Sequence, residues 1–235
     1  MNFVGVLQVL KYFAVLLLLA WPLGSYIARV FEGRRTLLDG ALRPVERLIY
    51  RFSGIDAAHE HDWKKYAGAI LVFNLVGFVA VYLLQRLQGV LPLNPQHFPG
   101  VTPDSSFNTA ASFATNTNWQ GYGGETTMSN LTQMLGLGVQ NFLSAATGMA
   151  VLAALIRGFK RRQTEALGNA WVDLTRSTTR VLLPLSFALA LLLVGQGVVQ
   201  TFSANRTVQL LQPVIVETTR TDAAGRQTTV SQTIT

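Results

Sequence analysis

Residues 115–126 read TNTNWQGYGGET, a run that is polar at nearly every position and carries no charge before Glu125. On either side the chain is apolar, with AGAILVFNLVGFVAVYLL inside residues 66–87 and VQNFLSAATGMAVLAALI inside residues 131–156. Each flank is long enough to cross ~30 Å of hydrocarbon as a helix, which takes about 20 residues. Before the polar run comes the turn-rich PLNPQHFPGVTPD, followed by SSFNTAASFA. Asp104, at the end of the turns, is a good N-cap for a helix over about 104–114. At 1.5 Å per residue such a helix is ~16 Å long, half a bilayer, so it cannot cross.

Two further segments have spanning length: residues 3–27, containing FAVLLLLAWPLG, and residues 181–199, containing LLPLSFALALLLVGQGVV. Charged residues make up 13% of the chain against a usual value of about 25%, and they fall in blocks. The pattern predicts an all-α integral membrane protein. The first segment reads as a retained helix and not a secretory signal, because its apolar run continues past Pro22 toward Arg29 with no small-x-small cleavage site.

A net charge of +7 suggests nucleic acid until the cations are placed. Arg29, Arg34, Arg35, Arg43, Arg47, Arg51, Lys64 and Lys65 form one cluster, and Arg157, Lys160, Arg161, Arg162, Arg176 and Arg180 form another. Both flank apolar segments, whereas residues 88–103 contain no Lys or Arg. The positive-inside rule therefore puts residues 28–65 and 157–180 in the cytoplasm as loops, residues 88–103 outside, and both termini outside. Residues 202–235, rich in Thr, Gln and Val, become an extracytoplasmic tail. No nucleic-acid partner is expected, and the lack of cysteine excludes disulfides and thiolate metal sites.

Because both ends of the short helix belong outside, the helix must dip into the bilayer and return, with TNTNWQ as its innermost backbone. Irregular backbone at that depth is tolerated only where protein or a water-filled cavity covers it. One use is to turn carbonyls toward a dehydrated cation in place of its hydration shell. The C-terminal end of the short helix adds about half a negative charge. The side chains of Asn116, Thr117 and Asn118 suit local bonding to such a backbone, and Gly121, Gly123 and Gly124 would permit a tight exit turn. The bland alternative is an ordinary polar connector. Trp119 reads equally as a buttress of the loop or an interfacial anchor. HEHD, residues 59–62, reads as a solvated turn ahead of a metal site. Asn130 and Asn205 begin glycosylation-type triplets that are common by chance. Gly138, Ala145, Ala146, Gly148 and Ala150 are expected to allow close helix packing. No nucleophile, base and orienting group stand out as an enzyme triad.

TNTNWQGYGGETT, VQNFLSAATGMAV, ALIRGF and LGNAWVDLTR, with DWKKYAGAILVFNLVGF and LPLNPQHFPG before them, resemble the potassium-binding A subunit of Kdp-type potassium-transporting ATPases over nearly all of residues 1–202. The resemblance implies a potassium-channel-like unit of helix, pore loop and helix over residues 66–156, preceded by an extra N-terminal transmembrane helix. In it, 104–114 is the pore helix and 115–120 the filter. Residues 181–201 would open a second, incomplete unit. It further implies that Thr115, Asn116, Thr117 and Asn118 coordinate potassium, with Gln120, Gly121 and Gly123 supporting them. The ion is the cargo, with no covalent cofactor. The implied partners are an ATP-hydrolysing P-type subunit and small accessory membrane subunits, in a bacterial inner membrane.

Members of that family continue through three more filter strands, while this sequence stops at Thr235 before the second pore loop. A truncated chain is the expectation. The alternatives are a passive channel or cotransporter pore subunit, separable by dependence on a partner's ATP hydrolysis, and a noncatalytic membrane scaffold.

Overall fold

The computed structural model describes residues 3–117, 119–161, 164–199, 201–204, 214–221 and 227–234. Asn118, Arg162 and the Asn205 triplet lie outside the described residues. Residues 1–202 and 203–235 are separate compact units.

The first unit is built from helices α1 (Phe3–Phe31), α2 (Asp39–Ser53), α3 (Trp63–Leu87), α4 (Pro103–Thr115), the single turn α5 (Gly124–Thr127), α6 (Thr132–Lys160) and α7 (Ala170–Gly195). The helices α1, α3, α6 and α7 are long and apolar enough to cross a membrane. The described residues of this first unit are built on helices, and the chain is a multi-pass membrane protein, as its apolar runs predicted. The only strands among the described residues lie in the second unit, where β1 (Val214–Thr221) pairs antiparallel with β2 (Gln227–Ile234), Val214 opposite Ile234 and Thr221 opposite Gln227. Two runs rich in Val and Thr fit a pleated pair, although sequence reading left this tail without secondary structure.

The span limits shift where charge was read as loop. Residues 28–65 were expected to be loop throughout, yet they contain α2, which ends on left-handed Gly54 (φ 64°) with the Gly54 and Ile55 amides bonded to the Tyr50 carbonyl. Helix α3 starts at Trp63, where the Asp62 carboxylate accepts the Lys65 amide at 2.8 Å. The start of α7, expected near residue 181, is Ala170. The Asn169 side chain caps it by accepting the Trp171 and Val172 amides, and Arg176 and Arg180 are helical residues. Arg180 is buried, held by Glu46 and Asp39 of α2. Pairing removed the reason to expect solvent around it.

A second buried pair closes the same end of the molecule. Arg157 Nη2 meets Asp173 Oδ1 at 2.9 Å, and the Tyr66 hydroxyl donates to Asp173 Oδ2 at 2.9 Å. Arg157 also lies over Gly168, whose φ of 100° and proximity to the guanidinium leave no room for a Cβ. Gly168 in turn accepts the His61 amide at 2.7 Å, and Asn169 donates to the carbonyls of Asp56 and His59. The LGNAWVDLTR string therefore clips the loop before α3 to the start of α7.

Small residues pack α6 where expected at Ala146 and Ala150, which are fully buried against Leu174. Gly148 is exposed, and a Cβ there would touch nothing within 4 Å. The closest glycine approach in the helix pairs is Gly77 of α3, whose Cβ would come within 2.4 Å of the Gln140 side chain of α6.

Candidate ion-coordinating loop

Helix α4 contains 13 residues, ~20 Å at 1.5 Å per residue. It lies beside α3, with the Gln85 amide donating to the Ser106 carbonyl at 3.2 Å and Phe107 edge-on to Phe78 at 5.4 Å. Ala110 and Phe113 are buried with Val81 of α3, Met128 and Leu137 of α6. The short helix, about two thirds of the hydrocarbon thickness, is thus wedged against the two spans that flank it in sequence. Its start differs from expectation by one residue: Thr102 occupies the N-cap without a side-chain bond, Pro103 takes the first turn, and Asp104 is the acidic residue behind it. Proline needs no amide partner there, and an acid in the first turn still complements the helix dipole.

Gln88, 1% exposed at the end of α3, holds both limbs of the segment. Its Nε2 donates to the carbonyls of Pro99 (2.7 Å) and Thr127 (2.8 Å), and its Oε1 accepts from the Ser129 amide (3.0 Å) and the Thr132 hydroxyl (3.1 Å). The Val101 amide bonds the Gln85 carbonyl at 3.1 Å. A Cβ on Gly100 would sit 2.5 Å from the Arg86 carbonyl, so this close approach requires glycine. Entrance and exit are therefore fixed at one level of α3, and whatever lies between them returns to the side it left.

The turn at the tip rests on Ser112. Asn116 is left-handed (φ 57°, ψ 33°), a conformation that Asn tolerates better than most residues. The amides of Asn116 and Thr117 both bond the Ser112 carbonyl, and the Ser112 hydroxyl donates to the Trp119 carbonyl at 2.8 Å. One buried serine thereby anchors the chain at Asn116, Thr117 and Trp119. The Thr115 and Thr117 hydroxyls lie 3.1 Å apart. Thr115, Asn116, Thr117, Trp119 and Gln120 are exposed in this chain, with Gln120 donating to the Tyr122 hydroxyl at 3.3 Å. Gly123 has an extended backbone (φ −92°, ψ 121°), so it does not supply left-handed freedom. The exit is turned by α5, whose Gly124 carbonyl and the neighbouring Met128 carbonyl accept the Gln133 amide group. Below it α6 opens with a π-helical stretch, Thr132–Gly138, a wider winding that often accompanies functional sites.

The structure thus brings Thr115, Asn116, Thr117 and Gln120 together at the tip of a returning loop. Sequence reading missed Ser112, Gln88 and Gln133. Their types signal nothing alone, because a buried amide is recognised only by what surrounds it. The HEHD stretch is clipped by its backbone, as described above, and burial with the neighbouring His59 and Lys65 holds the His61 imidazole below its usual pKa. No group of three or more His, Asp or Glu side chains among the described residues converges as a metal site. A pocket of about 740 Å³ lies among Ile49, Phe73, Trp171 and Thr178, and none of the loop residues lines it.

A family model described as the potassium-transporting ATPase A subunit matches residues 10–233. The chain belongs to that family. Among its A-subunit relatives, the "Potassium-transporting ATPase potassium-binding subunit" of Methylococcus capsulatus is 63% identical over 94% of this chain. Proteins of the same name from Solidesulfovibrio magneticus and Bordetella pertussis are 62% and 57% identical over 91% and 97% of it. The match takes in only 37% of the first two relatives and 38% of the third, so this A-subunit chain spans a little over a third of the length of the curated relatives it matches.

Proposed function

We propose that this chain forms the first pore-loop unit of a potassium-binding membrane subunit, in which the backbone carbonyls of Thr115, Asn116, Thr117 and Asn118 line the ion path. Gln120, Gly121 and Gly123 support that strand. The observation that carries the reading is the attachment of both limbs of the loop to Gln88, which gives a short helix and a polar turn a way into the bilayer and back. Further strands of the same kind complete the ring in the longer subunit, since one strand cannot surround an ion. Potassium is cargo. ATP hydrolysis belongs to a P-type partner, small membrane subunits complete the complex, and the assembly sits in a bacterial inner membrane. The loop opens to the exterior and the Arg-rich ends face the cytoplasm.

Two substitutions at Asn116 test the ion site in the assembled complex. Asn116→Gly retains access to the left-handed turn, whereas Asn116→Val forfeits it at about 1–2 kcal/mol, a factor of roughly 5–30. Rubidium or potassium binding is expected to weaken by about that factor with Val and to change little with Gly, with assembly intact in both. Equal binding by the two variants would sink the carbonyl strand as the site.

The absence of cysteine makes the topology directly testable. Single cysteines at Ser53 and Val90, both exposed, are expected to react with impermeant maleimide from opposite sides of sealed vesicles. Gly100 is unsuitable for this purpose because of its contact with the Arg86 carbonyl. Labelling of both cysteines from one side would reverse the assignment.

A further inference from the structure

Helix α2 has three faces. Glu46 is buried and reaches Arg180 and Thr179 of α7. On the far side Val45, Leu48 and Phe52 are 45%, 55% and 83% exposed, spaced three and four residues apart, which makes one stripe on a helix. Between the two faces run Arg47 and Arg51, both exposed and without an acidic partner among the described residues.

Its depth follows from its neighbours. The Arg180 side chain that grips Glu46 belongs to the residue whose carbonyl accepts the Tyr26 hydroxyl at 2.7 Å. Tyr26 is five residues short of the end of α1 at Phe31, ~7 Å along the axis. The packed face of α2 is thus level with the last turns of a spanning helix, where acyl chains give way to headgroups. Short tethers, residues 32–38 and 54–62, bind it at both ends to spans.

We propose that α2 lies in the plane of the interface, its Val45, Leu48 and Phe52 edge in the acyl region, and that Arg47 and Arg51 form a binding site for anionic phospholipid headgroups. The argument for lipid is charge complementarity at the right depth: an apolar edge entering the acyl boundary beside two unpaired guanidiniums is the arrangement that holds a helix at an anionic leaflet. Guanidinium also bonds phosphate oxygens in pairs.

The test uses the whole chain carrying Phe52→Cys, labelled with bimane and reconstituted into phosphatidylcholine vesicles that contain a minority of phosphatidylglycerol. One lipid or the other is brominated on its acyl chains. Both are expected to quench the label, and phosphatidylglycerol with a preference of about fivefold to thirtyfold, the size expected for one to two arginines near a charged surface. Arg47→Gln with Arg51→Gln should bring the preference to unity while quenching by phosphatidylcholine persists. Arg47→Lys with Arg51→Lys should retain most of it. All these positions are exposed, so folding is not at stake. A label quenched by neither lipid would mean that protein or water covers the stripe, and equal quenching by both in the parent would remove the anionic site; either result overturns the proposal.

Discussion

Replacing Arg180 by methionine is expected to lower the stability of the folded chain by about 3–5 kcal/mol, the usual loss when one member of a buried ion pair is removed. The side chains of Arg180 and Glu46 are 5% and 6% exposed, and Asp39 is 14% exposed on the same guanidinium. Arg180 Nη2 meets Glu46 Oε2 at 2.7 Å. The substitution leaves the buried Glu46 carboxylate with no cation to offset its desolvation, while Asp39 keeps only Arg43, at 3.1 Å. The effect is measured by titrating the chain in mixed micelles from folded to denatured with sodium dodecyl sulfate. A second variant isolates the cause: Arg180→Met with Glu46→Leu and Asp39→Asn removes the stranded charges and should recover most of the loss, since apolar replacement of a whole buried ionic group is often neutral. A loss below about 1 kcal/mol for Arg180→Met alone would mean that the carboxylates are hydrated and that α2 is held by something else.

Gln88→Leu is expected to release the segment that carries α4 and the polar loop while leaving the spans folded. The side chain makes four bonds, two donated to the Pro99 and Thr127 carbonyls and two accepted from Ser129 and Thr132. Each buried group left unsatisfied costs about 1–3 kcal/mol, and the groups concerned lie at the base of the loop. Amide hydrogen exchange across residues 103–127 should therefore accelerate by about tenfold or more, one decade for each 1.4 kcal/mol. The middle of α6 should keep its protection. On the function proposed above, potassium affinity in the assembled complex should fall with it. Gln88→Glu keeps the two accepting contacts and forfeits the two donated ones, so its effect should be intermediate. Unchanged exchange in the loop of Gln88→Leu would show that the wedge of Ala110 and Phe113 against α3 and α6 is enough to hold it.

The parts that one-dimensional signals determine were legible. Runs of about 20 apolar residues marked α1, α3, α6 and α7, because bilayer thickness sets a length that no neighbour needs to supply. The proline-rich turns before Pro103 and the polar run after Ala114 bounded α4, since proline and the loss of apolar periodicity act locally. Quoted strings also carried the family, which the match over residues 10–233 bears out.

What the amino-acid order alone misplaced was charge. Arg176 and Arg180 look like loop residues when counted along the chain, and they belong to α7 because Arg180 finds Glu46 in a helix 134 residues earlier. The same holds for the whole of α2, read as loop for its arginines. Sequence by itself determined that this protein has spans of membrane length and a short helix with a polar run between two of them, for lengths and turns are written locally. Only the tertiary structure decided what holds that loop: Gln88 gathering residues 11 to 44 positions away, and Ser112 gathering the turn around Asn116. A buried amide or hydroxyl is ordinary until folding brings its partners within 3 Å, and that distance has no counterpart in the order of residues.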